Sequence, residues 1–387
     1  MAASSGLHLS TVVMHHPSRA DRLPRLLDAL AGLAPRVVTD PDPDGPPSPL
    51  RTAKRAWAAI APGATHHIVI QDDVRPVSGF AELLRRAVAA RPHQGVSLYV
   101  NWNSSQNSYR VRQAAAWGRP FAELSTLEYT PTLGLALPVA AAAGLAAHLA
   151  GLPDHLRDDD EMVTPFRRAY GLDVVATVPN LLDHGGDLSL AGNGGHGIRH
   201  AVVFHPDPAL AHDHWTHPCP PDAAAGPGPL DYAVEMADSA CRIRPVRPLA
   251  VEPVEHPFGW PWHDWCTLIG ADRERIAETW RLSGRREPRA DLALEFWAAC
   301  YLLGADVRRH RPGTGRPAPH LRAALDSWIA SGLSAADRAH LSAADRETLR
   351  ELGLDAFDRG RTDAGFGPHT PAAEPALPGT PLEATCG

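Results

Sequence analysis

Two carboxylates stand side by side where an apolar run ends, in Ile68-Val-Ile-Gln-Asp-Asp-Val74. In an open α/β sheet the carboxyl edge of a strand is where ligands bind. Adjacent like charges repel, so a pair placed there is favoured when a cation sits beside it. Carboxylate oxygens suit Mg²⁺ or Mn²⁺, which commonly share their coordination with substrate phosphates. Taken alone, the pair also fits a solvated turn. A second acidic run, Arg157-Asp-Asp-Asp-Glu-Met-Val163, places carboxylates next to one another, which raises the pKa of each and suits one of them to accept a proton. It fits equally well the first turn of a helix, where the macrodipole favours acids. A third segment, Val178-Pro-Asn-Leu-Leu-Asp-His-Gly-Gly-Asp-Leu-Ser-Leu190, sets His184 among glycines, with Ser189 following.

The elements that must position these residues alternate in type. Short β-like runs occur at Leu9–Met14, Arg36–Thr39, His67–Ile70, Val96–Val100 and Val174–Val178, and helical spacing at 21–33, 51–60 and 80–90. Strands alternating with helices of this length predict βα units and a mainly parallel sheet. Leu133 to Pro153 is apolar and nearly long enough to span a bilayer. Its Ala and Gly content, and Pro138 at a helix start, predict a buried helix instead. Residues 206–261 are rich in Pro, His and Asp and read as a wrapping segment or linker. Residues 262–357 read as a helical region, with Ser334 and Ser342 each opening a helix. Residues 358–387 read as a disordered tail.

Composition narrows the function classes. With 387 residues, 44% hydrophobic and 21% charged, the chain is an ordinary globular protein of about two domains. A net charge of −7 argues against nucleic acid as a partner, since a binder needs a basic face. Five widely spaced cysteines form no CxxC or disulfide framework, which points to a reducing compartment. With no secretory signal at the N-terminus, the cytoplasm is the expected location.

The order VVMHHPSR, helix, VVTD, loop, RTAKRAW, HHIVIQDDVRP, VSLYVN resembles the nucleotide-sugar-dependent glycosyltransferases of the GT-A fold, particularly family 2 and family 25-like members. The resemblance covers roughly residues 8–205. It implies a Rossmann-type, mostly parallel sheet flanked by helices, a nucleotide-sugar donor, and a Mn²⁺ or Mg²⁺ cofactor. In such enzymes an acidic motif holds the cation and the donor diphosphate. Here Asp73 matches the metal-binding acid and Asp72 the middle position, while Gln71 stands where the first acid is usual.

The first strand and its loop, with His15 and Arg19, match the nucleotide-holding segment. Asp40 matches the acid that meets base or ribose, and Arg51 and Lys54, the chain's single lysine, fall where the diphosphate is met. The run at 157–163 is similar to the element whose second acid is the base in inverting members, which makes Asp160 the base and Asp159 its neighbour. The segment at 178–190 looks like P-x-L-V-x-H-x-G-x-x-S, with His184 as a metal or diphosphate ligand and Ser189 as the terminal serine. Tyr129-Thr-Pro-Thr-Leu-Gly134 looks like the acceptor-side segment. The expected function is transfer of a sugar to an acceptor that is a glycan, lipid carrier, peptide or small metabolite.

Other readings of the same residues stay open. Trp102 fits either a stacking platform for a sugar or base or a partly buried strand end. His200, His205, His212, His214 and His217, with Asp213 and Cys219, invite zinc, although their spacing matches no standard pattern. Asp72, Asp73, Asp160 and His184 would also suit a metal-dependent phosphohydrolase. An inactive GT-A-like domain, binding a partner through its helical C-terminal region, is the non-enzymatic alternative.

Overall fold

The computed structural model describes residues 6–153, 156, 158–186, 198–216, 231–247, 254–255, 259–284, 289–310 and 319–363. A seven-stranded sheet forms its centre, in the order β2 (Arg36–Thr39), β1 (Leu9–His15), β3 (His66–Gln71), β7 (Gly134–Pro138), β5 (Gly95–Ser97), β8 (Val174–Thr177), β6 (Phe121–Glu123). Five strands run the same way, and β7 and β6 oppose them. A separate two-stranded ribbon pairs β4 (Val74–Pro76) with β9 (Leu182–His184).

The period-2 alternation of the inner strands sends consecutive side chains to opposite faces. Val12, Met14 and Val69 pack under α2 (Pro49–Ala58), α5 (Val139–Ala150) and α6 (Asp159–Tyr170). Val13, Ile68 and Ile70 pack under α1 (Leu23–Ala29) and α3 (Phe80–Ala90). The chain is therefore an α/β protein with helices on both faces of a mostly parallel sheet. The apolar stretch at 133–153 divides at Pro138 into strand β7 and helix α5, and no helix among the described residues is long and apolar enough to cross a membrane.

Helix α4 (Asn107–Trp117) shows no amphipathic pattern in the sequence, because it is covered on both sides. Val111, Ala114 and Ala115 face the sheet domain's core, and Tyr109 and Ala116 face the core of the C-terminal region. The buried carboxylate of Asp306 ties the seam. It accepts from the hydroxyls of Tyr109 at 3.0 Å and Tyr232 at 3.3 Å, and from the Gln113 amide. The fully buried guanidinium of Arg112 donates to Ser327 at 2.9 Å and to the Trp102 carbonyl at 3.2 Å, and stacks 4.5 Å over the Trp328 ring.

From Trp262 onward the described residues form helices, as the sequence predicts, but the segment before them is not simply a linker. Residues up to Trp215 do wrap the first domain, with Trp215 buried against Phe121. Beyond them β10 (Asp231–Ala237) and β11 (Ala240–Arg247) form an antiparallel hairpin, joined at its edge by the short strands β12 (Val254–Glu255) and β13 (Trp260–Pro261). The hairpin turns at Asp238 and Ser239, both at positive φ (51° and 65°), the geometry of a two-residue turn that matches strand twist. Among the described residues six α-helices follow: α7 (Trp262–Trp265), α8 (Arg273–Leu282), α9 (Ala290–His310), α10 (Leu321–Ser327), α11 (Ala335–His340) and α12 (Ala343–Thr362).

Helices α9 and α12 approach so closely that a Cβ on Gly304 would meet the Phe357 carbonyl oxygen, and one on Gly360 that of Tyr301. Both serines expected to open helices do so, Ser334 accepting from the Asp337 N–H and Ser342 closing a reciprocal capping box with Asp345. Helix α12 runs to Thr362, five residues into the stretch read from composition as tail. Residues 364–387 lie outside the described residues.

Candidate active site

A cleft of about 1030 Å³ opens at the carboxyl ends of β1, β2 and β3. It brings together His15, Arg19, Asp40, Arg51, Gln71, Asp72, Asp73, Asp159, Asp160 and His184, all singled out in the sequence.

The two carboxylates after β3 are held differently. Asp72 accepts three hydrogen bonds: Oδ2 from His15 Nδ1 at 2.9 Å and the His16 N–H at 2.8 Å, and Oδ1 from Arg19 at 2.7 Å. Arg19 also reaches Asp73 Oδ2 at 3.1 Å, so one guanidinium bridges the pair. Asp73 Oδ1 is buried with no hydrogen-bond partner among the described residues. Burial works to raise the Asp73 carboxyl, but His184 and Arg19 outweigh it and hold it below the usual carboxylate range.

His184 arrives on the ribbon, where Val74 pairs with His184 and the Gly185 N–H donates to the Asp73 carbonyl at 2.7 Å. Its Nε2 lies 3.3 Å from Asp73 Oδ2, too poorly aligned for a hydrogen bond. The Gly186 N–H donates to His184 Nδ1 at 3.0 Å, through a turn in which Gly186 takes φ +80°. That bond uses the Nδ1 lone pair and leaves the ring hydrogen on Nε2. His184 therefore presents a donor and has no free lone pair for a metal. Of the three residues expected as metal ligands, Asp73 has a carboxylate oxygen with no hydrogen-bond partner among the described residues. That single acceptor fits the Mg²⁺ or Mn²⁺ habit of binding through one carboxylate plus substrate phosphates. Among the described residues no group of three or more His, Cys, Asp or Glu side chains is arranged to hold a metal.

The acidic run forms the N-terminus of α6, with Asp158 at the N-cap and Asp159, Asp160 and Glu161 in the first turn. Asp159 is buried, accepts from Thr132, and has Oδ2 without a partner among the described residues. Asp160 Oδ1 accepts from the Glu161 N–H at 2.8 Å. Burial raises the carboxyl pKa of both, and the charge of Asp159 raises Asp160 further. The helix terminus and these hydrogen bonds act the other way, and burial wins. The helix-start reading and the base reading are thus compatible: the terminus supplies the position and desolvation supplies the basicity.

At the rim, Arg51 donates through Nε and Nη2 to Asp40 at 2.9 and 3.0 Å. Burial acts to raise Asp40, but the Arg51 guanidinium outweighs it and lowers the carboxyl. The Gln71 side-chain amide donates to the Thr132 hydroxyl at a long 3.3 Å. Two expected donor contacts lie elsewhere. Lys54 Nζ donates to the Leu152 carbonyl at 2.5 Å, and Trp102 Nε1 to the Ile198 carbonyl at 2.7 Å, and neither residue lines the cleft. Ser189 lies outside the described residues, as do His217 and Cys219. Among the described histidines of the zinc reading, His200 faces Asp183, while His205 meets the His320 ring at a tilt and His214 meets it edge-on.

The cleft also holds residues that sequence reasoning passed over. Tyr99 donates to the Arg199 carbonyl at 2.8 Å, and Arg199 lines the cleft near Asp73. Glu128, one residue before the segment noted for its acceptor-side likeness, is buried. It accepts from the Ser104 hydroxyl and the N–H groups of Gln106 and Asn107, capping α4. A lone Glu or Arg in a loop carries no spacing signal, so only the fold reveals these two.

No protein-family model matches this chain, and no curated protein is significantly similar to it.

Proposed function

We propose that the protein is a GT-A-type glycosyltransferase that moves a sugar from a nucleotide-sugar donor to a hydroxyl-bearing acceptor with inversion. The observation that carries this is the convergence, in one cleft, of Arg19, Arg199 and the His184 ring with a carboxylate pair whose basicity burial raises. Arg19, Arg199 and the Nε2–H of His184 would bind the donor diphosphate, and the pyrimidine or purine nucleoside would lie toward Asp40 and Arg51. A divalent cation at Asp73 Oδ1 would supply further neutralisation of the leaving diphosphate.

An acceptor hydroxyl is too weak an acid to attack at neutral pH unless its proton is taken as the bond forms. Asp160 takes that proton; the acceptor oxygen bonds to the anomeric carbon; the bond from that carbon to the β-phosphate oxygen breaks, and the nucleoside diphosphate leaves. Asp159 keeps Asp160 basic by its charge. The phosphohydrolase reading is less well supported, because a two-metal centre needs several free ligands and Asp72 and His184 are both engaged. The binding-protein reading leaves the costly burial of Asp159 without a use.

Calorimetry with UDP-, GDP- and dTDP-sugars, with Mn²⁺ and then with EDTA, tests the proposal on the wild type and Asp73→Ala. Binding of one donor that is lost in the variant supports it. Failure of every donor to bind the folded protein under both conditions rejects it.

A further inference from the structure

We infer that Gln71 is a positioning residue for the acid pair of α6: its side-chain amide holds the Thr132 hydroxyl so that the hydroxyl's one hydrogen goes to Asp159. An acid at position 71 would reverse that arrangement. The bearing of Gln71 on catalysis rests on the glycosyltransferase reading, in which Asp159 keeps Asp160 basic and Gln71 has no part.

The backbone brings the three side chains together. Gln71 ends β3, where Ile70 pairs with Gly134 and the Gln71 N–H donates to the Leu133 carbonyl at 3.0 Å. Thr132 precedes Leu133 and is buried. Further back along the segment, the Pro131 carbonyl accepts from Ser97 at 3.4 Å, and the Thr130 hydroxyl accepts from the buried Arg167 of α6 at 3.1 Å. The segment is thus tied to the sheet on one side and to the helix bearing Asp159 on the other. Gln71, Thr132 and Asp159 all line the cleft.

The direction of the relay follows from what each group can do. The Gln71 amide donates to the Thr132 hydroxyl at 3.3 Å, and that hydroxyl donates to Asp159. An amide nitrogen only donates, an ionised carboxylate only accepts, and a hydroxyl has a single hydrogen. Turning the amide oxygen toward Thr132 would set two acceptors against that one hydrogen. A carboxylate at position 71 does the same and adds a like charge. The Thr132 bond favours the ionised form of Asp159 against the burial that opposes it. The relay therefore preserves the charge that raises the basicity of Asp160.

A pH titration of the full-length protein, labelled with carbon-13 at aspartate Cγ and followed by NMR, tests the relay without donor or turnover. The Asp159 signal is the one absent from Asp159→Asn. The charged and titratable groups around it among the described residues are Asp158, Asp160, Glu161 and Arg168 of α6, Glu128 and Tyr129 of the facing segment, and Arg51 of α2. All of them are kept in every variant. Thr132→Val is expected to move the Asp159 midpoint to higher pH by about 1 pH unit, and Thr132→Ser to leave it near wild type. Gln71→Glu is expected to raise the midpoint too, but by less in the Thr132→Val background, where only its charge acts. This double-mutant cycle separates the relay from the field. Circular dichroism checks each fold, and Thr132→Ala takes the place of Thr132→Val if that variant does not fold. Equal Gln71→Glu shifts in both backgrounds overturn the inference, as does an unmoved midpoint in Thr132→Val, and both leave the transferase reading standing. Failure of every nucleotide-sugar to bind removes that reading, and the titration still decides the relay.

Discussion

His184 Nε2 lies 3.3 Å from Asp73 Oδ2, and the backbone arranges the meeting. The β4–β9 ribbon pairs Val74 with His184, the next N–H along bonds the Asp73 carbonyl, and the Gly186 N–H fixes the ring. An acidic pair at a strand end and a histidine in a distant glycine-rich segment thus become one site through three antiparallel residue pairs.

The turn behind His184 depends on a left-handed backbone. Gly186→Ala places a Cβ at φ +80°, where nothing among the described residues crowds it but the conformation itself is disfavoured. The variant is expected to lose about 1–2 kcal/mol of stability in urea unfolding and to bind donor more weakly as His184 loses its anchor. Unchanged donor affinity would show that the Gly186 hydrogen bond is not what orients the ring.

Asp160→Asn removes the proposed proton acceptor while keeping shape. Turnover is expected to fall by about 10²–10⁴-fold, with donor affinity measured by calorimetry within about 2-fold of wild type. A comparable loss of donor binding would move Asp160 from the acceptor to the donor side of the cleft.

The buried acids set a pH signature. The base must be ionised, so activity rises with pH through a limb displaced above the ordinary carboxylate range, because burial raises Asp160 and the charge of Asp159 raises it further. Asp159→Asn deletes that charge and is expected to move the limb to lower pH in a kcat–pH profile.

The same shift has a stability consequence of definite sign. A carboxyl with a raised folded pKa binds more protons native than unfolded, so its contribution declines as pH rises from the unfolded to the folded value. Asp159→Asn is therefore expected to raise the melting temperature at pH 8 and to change it little at pH 4. Destabilisation at pH 8 would mean that its unpartnered oxygen has an acceptor role the native protein needs.

The seam between the sheet domain and the C-terminal region should be sensitive at one carboxylate. Asp306→Ala removes the acceptor that the hydroxyls of Tyr109 and Tyr232 share with the Gln113 amide, and is expected to cost about 2–4 kcal/mol. Tyr109→Phe removes one of these bonds and should cost about 1 kcal/mol. Equal effects in urea denaturation would show that the other two groups find water instead.

Local pattern carried much of this protein. Short apolar and β-branched runs marked β1, β2, β3 and β8, helical spacing marked α2 and α3, and serine caps marked α11 and α12, because each is decided by residues within a turn or a strand of one another. The acidic pair and the acidic helix start were legible for the same reason. What only the tertiary structure decided is everything set by burial from more than one side. Helix α4 lacks a polar face because two cores cover it, and the β10–β11 hairpin hid its turn in Asp238-Ser239 rather than a glycine pair. Lys54 and Trp102 have the chemistry of ligands but were turned to carbonyls of neighbouring segments. Arg199 and Glu128 reached the cleft from loops without pattern. Which carboxylate oxygen stays open, and on which nitrogen His184 keeps its hydrogen, follow from contacts between segments distant in the chain, where the competition for each lone pair is settled only once the fold has closed.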